Sequence, residues 1–528
     1  MTSNPTGMSR RDLLTMVGMT AGASAMYAAM SGMGYAATSD YKGPIKLEGD
    51  PKGTKVLVLG AGLAGMTAAY ELRNAGYSVQ VLEYREKAGG RCWTLRSGDS
   101  YAELGDDVQE VQFAEGNYMN PGPWRIPSDH YAVLDYCKRF GVKLEPFIQV
   151  NWNAYLHNTE AFEGKPQRFK QIQADYRGQI AELLAKAVDQ KKLDGLVTDA
   201  DAEMLVASLK KYGVLNDDLA YVKSDAVSLY RGWEKDPGGG TQGPGVPSDT
   251  ISLSDILQGR LWNDLITGES IDHQAAIFQP VGGMDMIAQA FARELGDVIT
   301  YDAKVIRIRG SETGVEATWV DSNGGTEEQT ASADYCICTI PFSVLGQIDH
   351  NFSSDMSAAI DDVYYEASIK VGLEFKRRFW EQDDHIYGGI SYTNLPITLI
   401  SYPSTDFFSD GPGVLLATYS WGAAAYQFSA VPPAERIERA LEFGSQIHPQ
   451  YRDEFASGVS VAWHRVPWTL GCYGIWRNQE EYYPIATQMD QRTLMAGEHI
   501  SYLPAWQEGA ILSALDAIER LHKHVIGA

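Results

Sequence analysis

The stretch KVLVLGAGLAG at residues 55–65, followed by SVQVLE at 78–83, decides the fold of this chain. A short apolar strand leads directly into a glycine-rich turn, a helical segment follows, and a second strand ends on an acidic residue. These parts fit within about 30 residues, which is the size of a dinucleotide-binding βαβ unit. The sequence therefore predicts an α/β fold with a Rossmann-like domain.

The residues of this turn have physical reasons to bind a dinucleotide. Gly60 permits the tight turn, Gly62 lets the backbone approach a pyrophosphate, and Gly65 lets the helix pack against the strand. Free N–H groups at the helix start attract the phosphates, and Glu83 can accept hydrogen bonds from the ribose hydroxyls. Ala64 lies in the same turn and is also predicted to contact the cofactor.

The motif AGGR at 88–91 follows soon after the second strand. Its glycine pair, with Gly90 as the predicted contact, brings the backbone close to the cofactor, and Arg91 supplies a charged donor for the phosphates. From the glycine turn through this motif, the chain resembles the flavin amine oxidase superfamily. The resemblance implies FAD as the cofactor.

The resemblance also implies that the C-terminus closes the same site. It assigns Glu498, which follows LMAG at 494–497, to the ribitol and pyrophosphate region, and a backbone contact with the adenine to Val305. It points the start of the C-terminal helix, at Trp506, towards the flavin ring. Taken alone, a carboxylate such as Glu498 beside a helix start also fits ordinary helix-end electrostatics.

Two further segments, PGPWRIP at 121–127 and FWEQDD at 379–384, resemble the L-amino-acid oxidase branch. The resemblance assigns Arg125 to the substrate carboxylate, which the planar guanidinium fork suits. It assigns Lys370 to a water at flavin N5 and Tyr419 to a second contact with the carboxylate.

The resemblance places Trp506 beside the substrate amine, where Ala505 replaces the glycine common in the family. The residues themselves also allow structural interpretations. Lys370 fits an edge-strand lysine that reaches solvent, Arg125 fits a surface salt bridge, and Trp506 fits core packing.

Cys472 follows a glycine, as does the cysteine that monoamine oxidases bond to the flavin. A small buried thiol is the commoner use of cysteine, so we expect non-covalent FAD, with a bond to Cys472 as the alternative. Cys336 and Cys338 alternate within an apolar run and are expected on one buried strand face. The five cysteines and ten histidines show no metal-binding spacing, so we predict no metal site.

The predicted architecture combines a discontinuous Rossmann-like FAD-binding domain, a substrate-binding domain built on a mixed sheet, and a helical subdomain. The FAD-binding domain is assigned to residues 50–115, 276–345 and 480–528, the substrate-binding domain to 116–150 and 346–479, and the helical subdomain to 151–275.

The N-terminus carries SRRDLL at 9–14, and then a long uncharged stretch up to residue 39, with the small residues of GYA at 34–36 at a plausible cleavage site. Residues 1–36 resemble a bacterial twin-arginine signal peptide, which predicts a periplasmic or secreted protein. A membrane anchor is the alternative. Glycine and serine dilute the hydrophobicity of the stretch, so we expect no stable membrane insertion.

Composition narrows the classes of function. The chain has 528 residues and a formal net charge of −24, which argues against a nucleic-acid partner because phosphate binding needs a basic surface.

We predict FAD-dependent oxidative deamination of an L-amino acid by O₂, giving a 2-oxo acid, ammonia and hydrogen peroxide. The alternatives are a monoamine oxidase, an amino-acid 2-monooxygenase and a non-redox flavoprotein. The oligomeric state stays open, a homodimer included.

Overall fold

A computed structural model of the chain describes residues 39–190 and 198–527. The predicted signal peptide, residues 1–36, lies outside the described residues. In the described part, no helix has both the length and the apolar content to cross a membrane.

A five-stranded sheet in which every pairing is parallel carries the N-terminal motif. We call it the parallel sheet. Its strands come from the beginning, the middle and the end of the described chain. In spatial order they are Ile299–Thr300, Ser78–Leu82, Lys55–Leu59, Tyr335–Cys338 and Thr493–Met495.

Both faces of the parallel sheet are buried, as expected for parallel strands. Val56 and Val58 face a core shared with the helices Leu63–Asn74 and Gln507–Ile526. Leu57, the residue between them, faces a second core on the other side of the sheet. The two helices pack on each other, so both ends of the chain share one layer. The helices Tyr131–Phe140 and Met286–Leu295 contribute to the same core.

A four-stranded sheet covers the opposite face. Its order is Gln329–Ala333, Val315–Asp321, Ala303–Gly310 and Asp349–His350. The prediction that Cys336 and Cys338 share a buried face is confirmed, since both are fully buried in this core.

A seven-stranded mixed sheet forms the second large unit. Tyr155–His157 pairs with Ile390–Thr393 in parallel, and the other pairings are antiparallel. The order is Gln167–Arg168, Tyr155–His157, Ile390–Thr393, Leu399–Ser401, Gly413–Trp421, Ser368–Phe375 and Phe455–Ala462.

The first two strands of this mixed sheet lie inside the stretch 151–275 that we predicted as helical. Strands of two or three residues are too short to show a period-2 pattern, so the sequence did not reveal them. The rest of the stretch does contain helices, namely Phe169–Asp189, Asp199–Gly213, Asp225–Arg231 and Leu253–Gln258.

Buried ionic contacts hold these helices together. The Asp175 carboxylate accepts hydrogen bonds from Arg231 Nε and from the Ile251 N–H, each at 2.8 Å. The predicted fold class, a Rossmann-like α/β domain with a mixed-sheet domain and a helical subdomain, is confirmed. The domain boundaries stay predictions.

Shorter elements connect these units. A three-stranded sheet of Ile126–Pro127, Ile277–Pro280 and Leu144–Pro146 supports the PGPWRIP segment. Other helices are Phe342–Leu345, Ser354–Asp362, Phe379–Gln382, Gly422–Phe428, Pro433–Gly444, Tyr451–Glu454 and Gln479–Ala486. Two-stranded pairs are Leu95–Arg96 with Tyr118–Met119, Ser100–Tyr101 with Gln109–Glu110, Trp233–Lys235 with Val246–Pro247, and Val363–Tyr365 with Gly474–Trp476.

Candidate active site

A cavity of about 730 Å³ opens at the carboxyl ends of the parallel strands. Gly60, Glu83, Thr339 and Gly497 each follow one of these strands and line it. Ligands of open α/β sheets bind at this edge. Of the predicted site residues, Gly65 is the one that does not line the cavity.

The glycine turn has the backbone geometry that a phosphate cradle needs. Gly60 has φ +101°, a left-handed value that favours glycine. A Cβ on Gly65 would lie 1.9 Å from the Gly60 carbonyl oxygen, so Gly65 keeps the helix against the strand. A Cβ on Gly62 would meet no atom within 4 Å, because this position faces the cavity. The turn therefore leaves room for a pyrophosphate at Gly62.

Glu83 holds the same turn in place. Its carboxylate accepts hydrogen bonds from the N–H groups of Ala61 at 2.5 Å and Arg85 at 3.0 Å. Burial raises the pKa of Glu83, and these two donors oppose the rise. Glu83 lines the cavity, so the residue suits the predicted ribose contact, and that contact stays a prediction.

Arg91 and Glu498, both predicted as cofactor residues, bind each other. Arg91 Nη1 lies 2.5 Å from Glu498 Oε1 and donates to the Cys472 carbonyl at 3.0 Å. Glu498 also accepts hydrogen bonds from the N–H groups of Gly474 at 3.1 Å and Ala505 at 3.0 Å. The pair therefore joins the AGGR motif to the loop that starts the C-terminal helix. Both residues line the cavity, as do Ala64, Gly90 and Val305.

Lys370 and Tyr419 face each other across the antiparallel strands Ser368–Phe375 and Gly413–Trp421. Lys370 is 1% exposed, so the interpretation as a solvent-reaching lysine is wrong. Its Nζ donates to the carbonyls of Gly122 and Asn120. Burial, and then the charge of Arg125, hold the pKa of Lys370 well below its usual range. The neutral amine is therefore favoured.

Arg125 is 6% exposed, which makes the surface salt-bridge interpretation wrong. Its Nη2 lies 2.6 Å from His273 Nε2. Burial, then Arg125 itself, lower the pKa of His273 well below its usual range, so a neutral imidazole accepts this hydrogen bond. Among the described residues, Arg125 Nε has no hydrogen-bond partner and no ion pair includes Arg125. The buried charge of Arg125 therefore has no directly bonded carboxylate among the described residues, although Asp272 is near enough to interact with it electrostatically.

Aromatic rings complete the wall between the two cations. The Trp124 ring lies 5.2 Å from Arg125 Cζ and 4.5 Å from Lys370 Nζ. The Trp506 ring lies 5.9 Å from Arg125 Cζ, so Trp506 belongs to this wall rather than to the core alone. Ala505 has φ +69°, a conformation that favours the glycine it replaces.

The sequence analysis did not identify two residues that contact Arg125, namely Trp124 and His273. Trp124 lies inside the PGPWRIP segment, beside Arg125, and that adjacency was a usable signal. His273 gave none, because its contact with Arg125 joins segments 148 positions apart.

Cys472 lines the cavity beside these groups. Its Sγ lies 3.0 Å from the Glu366 carbonyl oxygen, and burial raises its pKa. A thiol with a raised pKa is a weak nucleophile.

The parallel sheet, its glycine turn and the buried cations together define an oxidoreductase that binds a dinucleotide cofactor beside a small substrate. The sequence profile of the flavin containing amine oxidoreductases matches residues 63–522. The chain belongs to this family and is an FAD-dependent oxidoreductase.

Curated relatives and solved structures agree with this assignment. An L-amino-acid oxidase of Siganus canaliculatus is 28% identical over 488 residues, covering 89% of this chain and 86% of the relative. The flavin-dependent L-tryptophan oxidase RebO of Lentzea aerocolonigenes is 28% identical over 495 residues, covering 88% of this chain and 98% of the relative. The predicted resemblance is confirmed.

Among solved structures, cyclohexylamine oxidase from Brevibacterium oxydans IH-35A matches with a TM-score of 0.58 at 15% identity. The match covers 90% of this chain and 99% of that one. At this identity the similarity shows a shared fold.

A pair of glycine substitutions tests the phosphate cradle. Gly62→Ala adds a methyl group in the space reserved for the pyrophosphate, so the protein should fold with its melting midpoint nearly unchanged when stripped of flavin. It should bind FAD at least about tenfold more weakly, since a steric loss of 1.4 kcal/mol gives that factor. Gly65→Ala should lower the melting midpoint of the flavin-free protein, because its methyl group meets backbone. Flavin titration and thermal melting distinguish the two variants, and equal behaviour contradicts the assignment.

Proposed function

We propose that this enzyme catalyses the oxidative deamination of L-amino acids. The observation that carries the proposal is Arg125, a buried guanidinium that lines the cavity with Lys370 and Trp506 and makes no direct ion pair with a described residue. A buried, unpaired charge is costly unless a ligand compensates it. The carboxylate of an amino acid supplies that compensation with two oxygens that match the guanidinium fork.

The residues around Arg125 favour a carboxylate over other ligands. His273 is neutral and occupies one side of the guanidinium, which leaves the remaining N–H groups for the ligand. Tyr419 lines the same cavity, and its hydroxyl is proposed as a second donor to the carboxylate. The rings of Trp124 and Trp506 exclude water, which strengthens the ionic contact.

The opposite side of the cavity suits a neutral amine. Burial and the charge of Arg125 lower the pKa of Lys370, which weakens its repulsion of the substrate nitrogen, and its Nζ is proposed to hold a water molecule. FAD, held by the glycine turn, Glu83 and the Arg91–Glu498 pair, would supply a two-electron acceptor for the α-hydrogen, with O₂ as the final acceptor and hydrogen peroxide as its product. The resulting imino acid adds water and releases ammonia, which gives the 2-oxo acid.

The names of the curated relatives support the same chemistry, since several are called L-amino-acid oxidases and one an L-tryptophan oxidase. The rival functions differ in their products. An amine oxidase forms an aldehyde and peroxide, and an amino-acid 2-monooxygenase forms an amide with loss of CO₂. A non-redox flavoprotein leaves the flavin absorbance unchanged when amino acids are added without oxygen.

Replacing Arg125 tests the carboxylate contact. Arg125→Met keeps much of the apolar volume and removes the charged fork, so kcat/KM for an L-amino acid should fall about 100- to 1000-fold, as expected for the loss of a buried charge contact. Oxidation of the matching amine without a carboxylate serves as the internal control and should change far less. Stopped-flow reduction of the flavin measures both, and an equal loss on the two substrates contradicts the proposal.

We propose that FAD is bound non-covalently. The raised pKa of the Cys472 thiol and its contact with the Glu366 carbonyl support an unreactive sulfur. Acid precipitation of the purified enzyme should leave the flavin in the supernatant. Cys472→Ala should retain the same flavin content. Yellow colour that stays with the pellet, and is lost in Cys472→Ala, identifies a covalent bond instead.

We propose twin-arginine export of the enzyme, on the basis of the SRRDLL motif alone. Replacing Arg10 and Arg11 together by lysine should leave the enzyme in the cytoplasmic fraction of a bacterial host, because the pathway reads the arginine pair. The control is a change of the exposed residue Lys523 to arginine, which should not alter export. Cell fractionation followed by immunoblotting measures both, and export that survives the double change contradicts the proposal.

A further inference from the structure

Three buried polar residues form a cluster near Arg125, outside the cavity. Asp129 and His130 precede the helix Tyr131–Phe140, and Asp272 lies in the 3₁₀ turn Ile271–His273. Their exposed fractions are 7%, 1% and 4%. One ligand atom from each lies within 4.8 Å of the others.

The ligand atoms of this cluster are unsatisfied. Both carboxylate oxygens of Asp129, Oδ1 of Asp272 and Nε2 of His130 have no hydrogen-bond partner among the described residues. Buried polar atoms are nearly always hydrogen-bonded, so each exception calls for an explanation. Unsatisfied atoms on all three residues of one cluster indicate a ligand that the protein atoms themselves do not supply.

Neither helix capping nor an ion pair with Arg125 explains why these residues are buried. An aspartate before a helix usually accepts hydrogen bonds from the first N–H groups. Here the Glu508 carboxylate accepts those of Ala132 at 2.8 Å and Val133 at 2.9 Å. The Arg125 guanidinium is close enough to influence Asp272, but it bonds to His273. The cluster also does not line the cavity.

The charges of the cluster match a divalent cation. Two buried carboxylates that lie close together repel each other when both are charged. The imidazole nitrogen of His130 beside them can coordinate a metal ion through its lone pair. An ion of charge +2 would neutralise the two carboxylates and satisfy the imidazole nitrogen at the same time.

We propose that Asp129, His130 and Asp272 bind a divalent transition-metal ion. Ligand atoms on a tetrahedral ion with bonds of about 2.1 Å are about 3.4 Å apart. The three atoms therefore need to approach by at most about 1.4 Å, which side-chain rotation can supply. One nitrogen and two carboxylate ligands suit Zn²⁺, whereas Mg²⁺ prefers oxygen ligands in an octahedral arrangement. The ion joins the start of the helix Tyr131–Phe140 to the turn that carries His273.

Metal analysis of the holoenzyme tests this site. Wild-type enzyme is produced in medium with added Zn²⁺, passed over a chelating resin and analysed by mass spectrometry for metals. We expect about one Zn²⁺ per chain in the wild type, and less than about a tenth of that in Asp272→Asn and His130→Gln, because removing one of three ligands weakens a metal site severely. The matched control is Asp384→Asn. Like Asp272, Asp384 is a carboxylate near a buried histidine. Unlike Asp272 Oδ1, its Oδ2 already has a partner, since His448 Nδ1 lies 2.9 Å away.

Thermal melting provides a second, independent measurement. Zinc-loaded wild type should melt at a higher temperature than the chelated enzyme, whereas Asp272→Asn and His130→Gln should show no such shift. Chelated Asp272→Asn should be no less stable than chelated wild type, because it removes one of two neighbouring buried negative charges. Zinc content that is equal in wild type and both variants indicates surface binding and overturns the proposal. Absence of zinc from the wild type, or equal retention of Mg²⁺ from a magnesium-only medium, also overturns it.

Discussion

The parallel pairing of Tyr335–Cys338 with both Lys55–Leu59 and Thr493–Met495 is the constraint on which the cofactor end of this enzyme depends. Parallel strands end at one edge of the sheet, so the turns that follow them meet there. Gly60 and Gly497 come within one cavity although 437 positions separate them in the chain. The ion pair between Arg91 and Glu498 then joins the N-terminal and C-terminal motifs directly.

Two neighbouring cations set the character of the substrate end. Lys370 and Arg125 are both buried, and Trp124 contacts both. A guanidinium stays charged in proteins, whereas a buried ammonium can lose its proton. The pKa of Lys370 falls accordingly, with a contribution from Arg125. One permanent charge therefore remains at Arg125 to select an anion, whereas burial favours the uncharged form of Lys370. The unsatisfied cluster of Asp129, His130 and Asp272 lies behind that charge, outside the cavity.

Prediction from the sequence succeeded where a motif is contiguous. The glycine turn, Glu83 and the C-terminal Glu498 line one cavity as expected. Prediction was less complete where function depends on long-range contacts. The sequence predicts helix over 151–275, yet the strands Tyr155–His157 and Gln167–Arg168 lie within it, because such short strands acquire their structure from the mixed sheet they join. His273 and Asp272 were missed, since no local pattern relates them to Arg125 or to Asp129.

The amino-acid sequence by itself determined the dinucleotide-binding unit, the family resemblance and a set of cofactor and substrate residues that line the cavity, because local spacing dictates a glycine turn and a strand period. Only the tertiary structure decided which of these residues are buried and which neighbours they have. Burial and proximity change the chemistry of a side chain: the same Lys370 would be an ordinary cation on the surface, and Arg125 would have water in place of a ligand. Such environments arise from strands and turns that are distant in the chain, so no stretch of sequence contains them.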